Sequence, residues 1–172
     1  MKYKILLCLF YCLSQYQSFS YSDSTIAAKE LKGLTGCWKG SITYLDYSSN
    51  KPFSMPANMI VGDFKKNDII AYSMIYPKEP SANALDTIFI SKDGRSFNNE
   101  PVKSKRKISK DSLVIVTEIS GTDGNDNKPA AIRHTYILGK SSYSFKKEVQ
   151  FVGQTLWILR NEYKFVRLKP CG

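Results

Sequence analysis

From Cys37 to the end of the chain, apolar and polar residues alternate with a period of two, and clusters of turn formers break the pattern about every ten positions. Period two sends successive side chains to opposite faces of a strand, so these residues can bury an apolar face only by pairing into sheets. Strands are expected over 37–47, 57–64, 69–77, 86–91, 95–98, 103–109, 112–119, 131–138, 142–151 and 155–168. The connections Lys65-Lys66-Asn67-Asp68, Lys92-Asp93-Gly94, Lys110-Asp111, Gly139-Lys140 and Val152-Gly153-Gln154 are short, which makes successive strands antiparallel neighbours. Longer loops are expected at Ser48 to Pro56, Pro77 to Leu85 and Gly121 to Pro129. The fold class is all-β: a single antiparallel up-and-down β-barrel of about eight to ten strands.

The residues ahead of this pattern divide in two. Lys2 and Lys4 precede an apolar stretch from Ile5 to Leu13, and Ser18-Phe19-Ser20 offers small residues at a cleavage site, so residues 1–20 are expected to be a signal peptide. That stretch is shorter than the roughly 20 residues a membrane-spanning helix needs. Phe10 and Tyr11 stand where a lipidated Cys12 would want small neighbours. In the 21–35 segment, Ile26, Ala27, Leu31 and Leu34 recur at helical spacing before Gly33 and Gly36, so a short helix should plug or lid the 36–172 barrel domain.

Removing residues 1–20 takes out Lys2 and Lys4 and lowers the formal charge from +10 to +8. The remaining length suits one domain with a core of its own. Cys8 and Cys12 leave with the leader, and Cys37 and Cys171 remain as a pair in an exported, periplasmic or secreted, chain. A Cys37–Cys171 disulfide is expected, with two free thiols as the alternative.

Alternation also sorts the faces. Trp38, Ile42 and Tyr44 should face inward, with Ile132, His134, Tyr136 and Leu138, then Tyr143, Phe145, Lys147, Val149 and Phe151. On the last strand the inward set is Trp157, Leu159, Asn161, Tyr163 and Phe165, with Ile158, Arg160, Glu162 and Lys164 outside. Tyr44, His134, Tyr136, Tyr143, Lys147, Asn161 and Tyr163 are therefore the candidate cavity residues for a small hydrophobic or amphipathic ligand. The alternative is that these polar tips satisfy one another or reach solvent at the barrel mouth.

Gly36-x-Trp38 after a short helix, a meander of strands, and Arg167 on the final strand together resemble the calycins: lipocalins, fatty-acid-binding proteins and nitrobindin-like barrels. The resemblance implies structural roles for Gly36, Trp38 and Arg167, with Trp38 under one end of the barrel and Arg167 packed across it. Ten strands suit the latter two groups better than an eight-stranded lipocalin. Uncharacterised lipocalin-like proteins exported by bacteria are also similar, and imply no activity.

Chemistry beyond binding finds little support. His134 is the single histidine, and no serine sits in a nucleophile elbow, so an enzyme is not expected. Zinc lacks ligands, and no metal site is expected. Nitrobindin-like proteins bind haem through one His, yet their motif is not recognisable around Arg133-His134-Thr135; haem stays a minor alternative and no other cofactor is expected. Asp123-Gly124-Asn125-Asp126-Asn127 suggests calcium, but Lys128 and His134 stand where an EF-hand needs Gly and Glu, so a polar hairpin loop is the better reading. Lys103, Lys105, Arg106 and Lys107 form a basic cluster, read as an outward stripe that is solvated or touches an anionic surface; export argues against nucleic acid. The leading expectation is a non-enzymatic, monomeric ligand-binding barrel, with a filled envelope interaction module as the alternative.

Overall fold

The computed structural model describes residues 24–46, 49, 51–63 and 69–171. The expected leader at 1–20 and the Lys65 to Asp68 turn lie outside them. Among the described residues, ten antiparallel strands form one nearly closed barrel. They are β1 (Gly36–Asp46), β2 (Lys51–Val61), β3 (Ile69–Ile75), β4 (Ala84–Phe89), β5 (Ser96–Phe97), β6 (Glu100–Ser109), β7 (Ser112–Asp123), β8 (Lys128–Leu138), β9 (Ser142–Phe151) and β10 (Ile158–Arg167). β10 returns beside β1, with Trp38 opposite Arg167 and Tyr44 opposite Asn161. The seam lies between β4 and β5, held by an Ile90–Phe97 bridge and by the Asn98 N–H donating to the Phe89 carbonyl at 2.8 Å.

Two of the three expected long loops are instead hairpin ends, because the prolines sit inside strands. Pro52 and Pro56 stand opposite Leu45 and Ser41 in the part of β2 that has β1 as its neighbour but not yet β3. Pro129 lies opposite Thr122, before β8 begins to pair with β9. A strand with one side unpaired tolerates a missing N–H there. Likewise β6 begins at Glu100, not 103, since Asn98 and Asn99 adopt φ of 52° and 63° and close a two-residue hairpin between Phe97 and Glu100. Asparagine accepts that left-handed backbone better than most residues.

Side chains fill the middle of the barrel. Phe97 meets Tyr136 edge-on at 4.7 Å, Phe145 stacks on Tyr163 at 4.3 Å, and Tyr143 stacks on Phe165 at 6.0 Å. Met59, Ile70 and Ile115 close the gaps at 1% exposure or less. Gly40 belongs to this layer for lack of a side chain: a Cβ there would sit 1.9 Å from the Lys164 carbonyl, so glycine permits β1 and β10 to pair.

One end of the barrel is plugged by α1 (Ala28–Leu31) and a 3₁₀ turn, Lys32–Leu34. Ile26, Leu31 and Leu34 are buried, and the Ile26 N–H donates to the Gly94 carbonyl at 2.8 Å. Glu30 accepts from the Ala27 N–H at 2.9 Å and from Lys105 at 3.1 Å, so one carboxylate both caps the helix and pins it to β6. Trp38 lies beneath the plug, its indole N–H donating to the Leu34 carbonyl at 2.8 Å. The Arg167 guanidinium lies 4.1 Å over the Trp38 ring and donates to the carbonyls of Thr35, Gly33 and Lys140. Gly36 takes φ of 122°, and a Cβ there would come within 2.9 Å of Arg167. The expected disulfide joins Cys37 to Cys171 across 134 positions of sequence.

Candidate functional site

The barrel's other end carries the polar interior. Counting through the strand registers, Thr117 is opposite His134, His134 opposite Lys147, Lys147 opposite Asn161, and Asn161 opposite Tyr44. Directly opposed residues share a face, so these five form one inward-facing row across β7, β8, β9, β10 and β1. Tyr44, His134, Lys147 and Asn161 are thereby brought together as one level of the barrel. Tyr136, Tyr143 and Tyr163 are not part of it: they stand deeper, in the ring stack, where Tyr163 and Tyr76 share a hydroxyl hydrogen bond of 2.8 Å. Burial is the main reason that the hydroxyls of all three titrate above the usual tyrosine range, so they remain neutral phenols.

The row is completed by residues that alternation alone assigned elsewhere. Between Leu159 and Asn161 the register with β9 slips by one, leaving Arg160 as a bulge. A bulge reverses the faces on its far side. Ile158 consequently stands opposite the buried Val149, and Arg160 turns inward. Trp157 and Leu159, expected inside, lie outside: Leu159 is 43% exposed, and the Arg133 guanidinium stacks 3.7 Å over the Trp157 ring on the outer surface.

Arg160 and Lys147 both donate to Asp123, at 2.6 Å each, one to either carboxylate oxygen. Asp123 ends β7 and is 8% exposed. It belongs to the segment read as a polar hairpin loop, yet the first residue of that segment is a buried anchor. Burial would raise its carboxyl, but the Lys147 hydrogen bond and charge, followed by those of Arg160, outweigh this and hold it below the ordinary value. A depressed carboxyl stabilises the fold above the unfolded-state value of about 3.9 and loses that contribution as pH falls through its folded value. Denaturant unfolding at pH 7 and pH 3 should show the wild type losing more stability on acidification than Asp123→Asn. Asp123→Ala should cost about 3 kcal/mol at pH 7, by leaving two cations without their shared partner.

Deeper in the row, Thr117 Oγ1 donates to Glu100 Oε2 at 2.5 Å and His134 Nδ1 bonds the same oxygen at 2.8 Å. Burial would raise the Glu100 carboxyl, but bonds from His134 and Thr117 pull it below its usual value. Here the hydroxyl faces the carboxylate rather than the imidazole, which is not the order of a Ser-His-Asp relay. The cleft above carries Asp46, Lys147 and Arg160 without His134, and Tyr136 and Phe145 occupy the apolar space below. Among the described residues no three His, Cys, Asp or Glu converge for a metal.

That cleft opens at the mouth with a volume of about 600 Å³, lined by Tyr44, Leu45, Asn125 and Asn161 together with the charged Asp46, Lys147 and Arg160. Tyr44 is braced by Phe53 at 5.5 Å. Sequence reasoning missed Asp123, Arg160, Glu100, Thr117 and Asn125. The buried Thr117 was the signal for Glu100, since a hydroxyl at an inward position requires a partner.

The basic cluster does not form one outward stripe. A bulge lies between Val102 and Ser104, so Lys103 points outward to Glu118 at 3.6 Å while Lys105 and Lys107 stand opposite the buried Ile115 and Leu113 and share the inner face.

No family model and no curated protein matches the chain. Among solved structures it is similar to Rv2717c from Mycobacterium tuberculosis, with a TM-score of 0.56 and 12% identity over 84% of this chain and 99% of that one. It is also similar to a "putative outer membrane protein" from Bacteroides fragilis, with a TM-score of 0.34 and 11% identity over 84% of this chain and 54% of that one. The first likeness supports the barrel fold and nothing further.

Proposed function

We propose that this protein is an exported, non-enzymatic barrel of calycin type that holds a small amphipathic molecule at its open mouth. The observation that carries the reading is the single row of inward polar side chains, from Thr117 to Tyr44, ending beneath a cleft of about 600 Å³. An apolar surface from Tyr44 and Leu45 beside a few convergent polar groups is the composition ligand sites favour. Asn125, Asn161 and Arg160 would orient polar groups of the ligand, and the rings of Tyr44 and Phe53 would cover its apolar part. A long hydrophobic ligand threaded through the barrel is less suited, because Tyr136, Tyr143, Phe145 and Tyr163 occupy that volume. The calycin assignment is supported by Gly36, Trp38 and Arg167 meeting under the plug, and export by the Cys37–Cys171 bond, which requires oxidising conditions.

Native mass spectrometry of mature protein purified gently from its own host is the test. A stoichiometric small molecule should be retained, and Tyr44→Ala and Asn161→Ala should each reduce its retention at least about tenfold, the loss of one good contact. A clean apo mass from wild type would favour the second reading, a filled envelope module that works through its surface. The packed ring stack is the observation on that side.

A further inference from the structure

A second cleft, of about 380 Å³, opens at the plugged end, between the plug and the turns that join β6 to β7 and β8 to β9. Its floor is apolar: Leu34, Leu113 and Leu138 are 2%, 6% and 7% exposed. Its rim carries Lys107, Lys110 and Lys140. The acids in its lining are Glu30 and Asp111, and Glu30 is already held by Lys105 at 3.1 Å. Among the described residues no carboxylate forms an ion pair with any of the three rim lysines.

The placement of Lys107 sharpens the point. It stands opposite Leu113 in the β6–β7 register and is exposed where it lines the cleft, so a lysine stem is available beside the leucine floor and a charged head beside solvent. Three lysines outside any ion pair, against the single unpaired carboxylate of Asp111, around an apolar floor are complementary to a molecule that presents an anion at one end and hydrocarbon at the other. The mouth differs in kind, because Lys147 and Arg160 there are both already engaged by the Asp123 carboxylate.

We infer that this end cleft binds a single-chain anionic amphipath, its alkyl chain over Leu34, Leu113 and Leu138 and its phosphate or carboxylate head on Lys107, Lys110 and Lys140. Inorganic phosphate would use the lysines without the floor, and a neutral alkanol the floor without the lysines; the amphipath alone uses both.

Isothermal titration of the mature protein with octyl phosphate, octanoate, inorganic phosphate and octanol tests this, with amide NMR shifts to locate the site. Octyl phosphate or octanoate should saturate with shifts at Gly33, Ser112 and Gly139, and bind at least about tenfold more tightly than inorganic phosphate or octanol. The combined variant Lys107→Gln, Lys110→Gln, Lys140→Gln should weaken binding at least about tenfold, the sum of three exposed charge contacts. Lys147→Gln should leave it unchanged, which separates this site from the mouth. Equal binding of inorganic phosphate, shifts centred on Tyr44 and Asn161, or no saturation by millimolar amphipath would each overturn the inference. Because the wild-type shift map locates the site without any variant, impaired folding of the triple variant would not rescue it.

Discussion

Trp38→Ala lowers folding stability by about 4 kcal/mol, in the range for removing a large buried aromatic side chain. Trp38 is 1% exposed and underlies the whole plugged end. Its loss opens a cavity against Tyr143, whose ring lies 6.2 Å away, and removes the donor to the Leu34 carbonyl. Arg167 then loses the ring beneath it while still committed to three backbone carbonyls, so the plug loosens together with the β1–β10 closure. Urea unfolding monitored by circular dichroism gives the number directly. Trp38→Phe should recover most of the packing but not the hydrogen bond, and remain about 1–2 kcal/mol below wild type. A loss below about 1.5 kcal/mol for Trp38→Ala would mean that the plug holds itself.

Replacing Cys37 and Cys171 together with serine should cost a similar amount, about 4 kcal/mol, by a different route. The bond closes 134 positions of sequence, and in the chain-entropy account a loop of that length restricts the unfolded chain by about 4–5 kcal/mol. The native contacts at the site change little. Leu168 still donates its N–H to the Cys37 carbonyl position at 2.8 Å, and β10 still pairs with β1 through seven residues from Trp38 to Tyr44. The effect should therefore show as a lower urea midpoint with a steeper dependence on urea, since the unlinked chain exposes more surface on unfolding. An unchanged slope with an unchanged midpoint would show that the bond adds no constraint beyond the β1–β10 ladder.

The readings that succeeded and failed in the sequence differ in the kind of information they need. Trp38, Tyr136, Tyr143 and Phe165 were assigned to the interior correctly because alternation is a property of each strand alone, and burying the apolar face decides its sign. Trp157, Leu159 and Arg160 were assigned to the wrong faces because the bulge at Arg160 depends on how β10 registers with β9, which no local pattern encodes. Lys105 and Lys107 looked like a solvated stripe for the same reason: the slip after Val102 turns them toward the plug. Prolines misled in the opposite direction, since Pro52, Pro56 and Pro129 are strand residues wherever a neighbouring strand is missing on one side.

The candidate site was half legible. Tyr44, His134, Lys147 and Asn161 could be named one strand at a time, and the meander places them on neighbouring strands. Their common level could not be read, because it follows from four successive registers. Asp123 was hidden by its company: Gly124, Asn125 and Asn127 read as an ordinary turn, and only the arrival of Lys147 and Arg160 from two other strands makes its carboxylate buried and paired.

The linear chain by itself determined the all-β class, a meander of about eight to ten strands, the short helix ahead of it and which two cysteines are available to pair, because period, turn chemistry and cysteine count act over a few residues or as simple tallies. Tertiary structure alone decided that the middle of the barrel is filled, that the polar groups gather at one mouth around Asp123, and that three lysines ring an apolar cleft at the other end. Each of these depends on the register between strands distant in sequence, where a slip of one residue exchanges inside for outside.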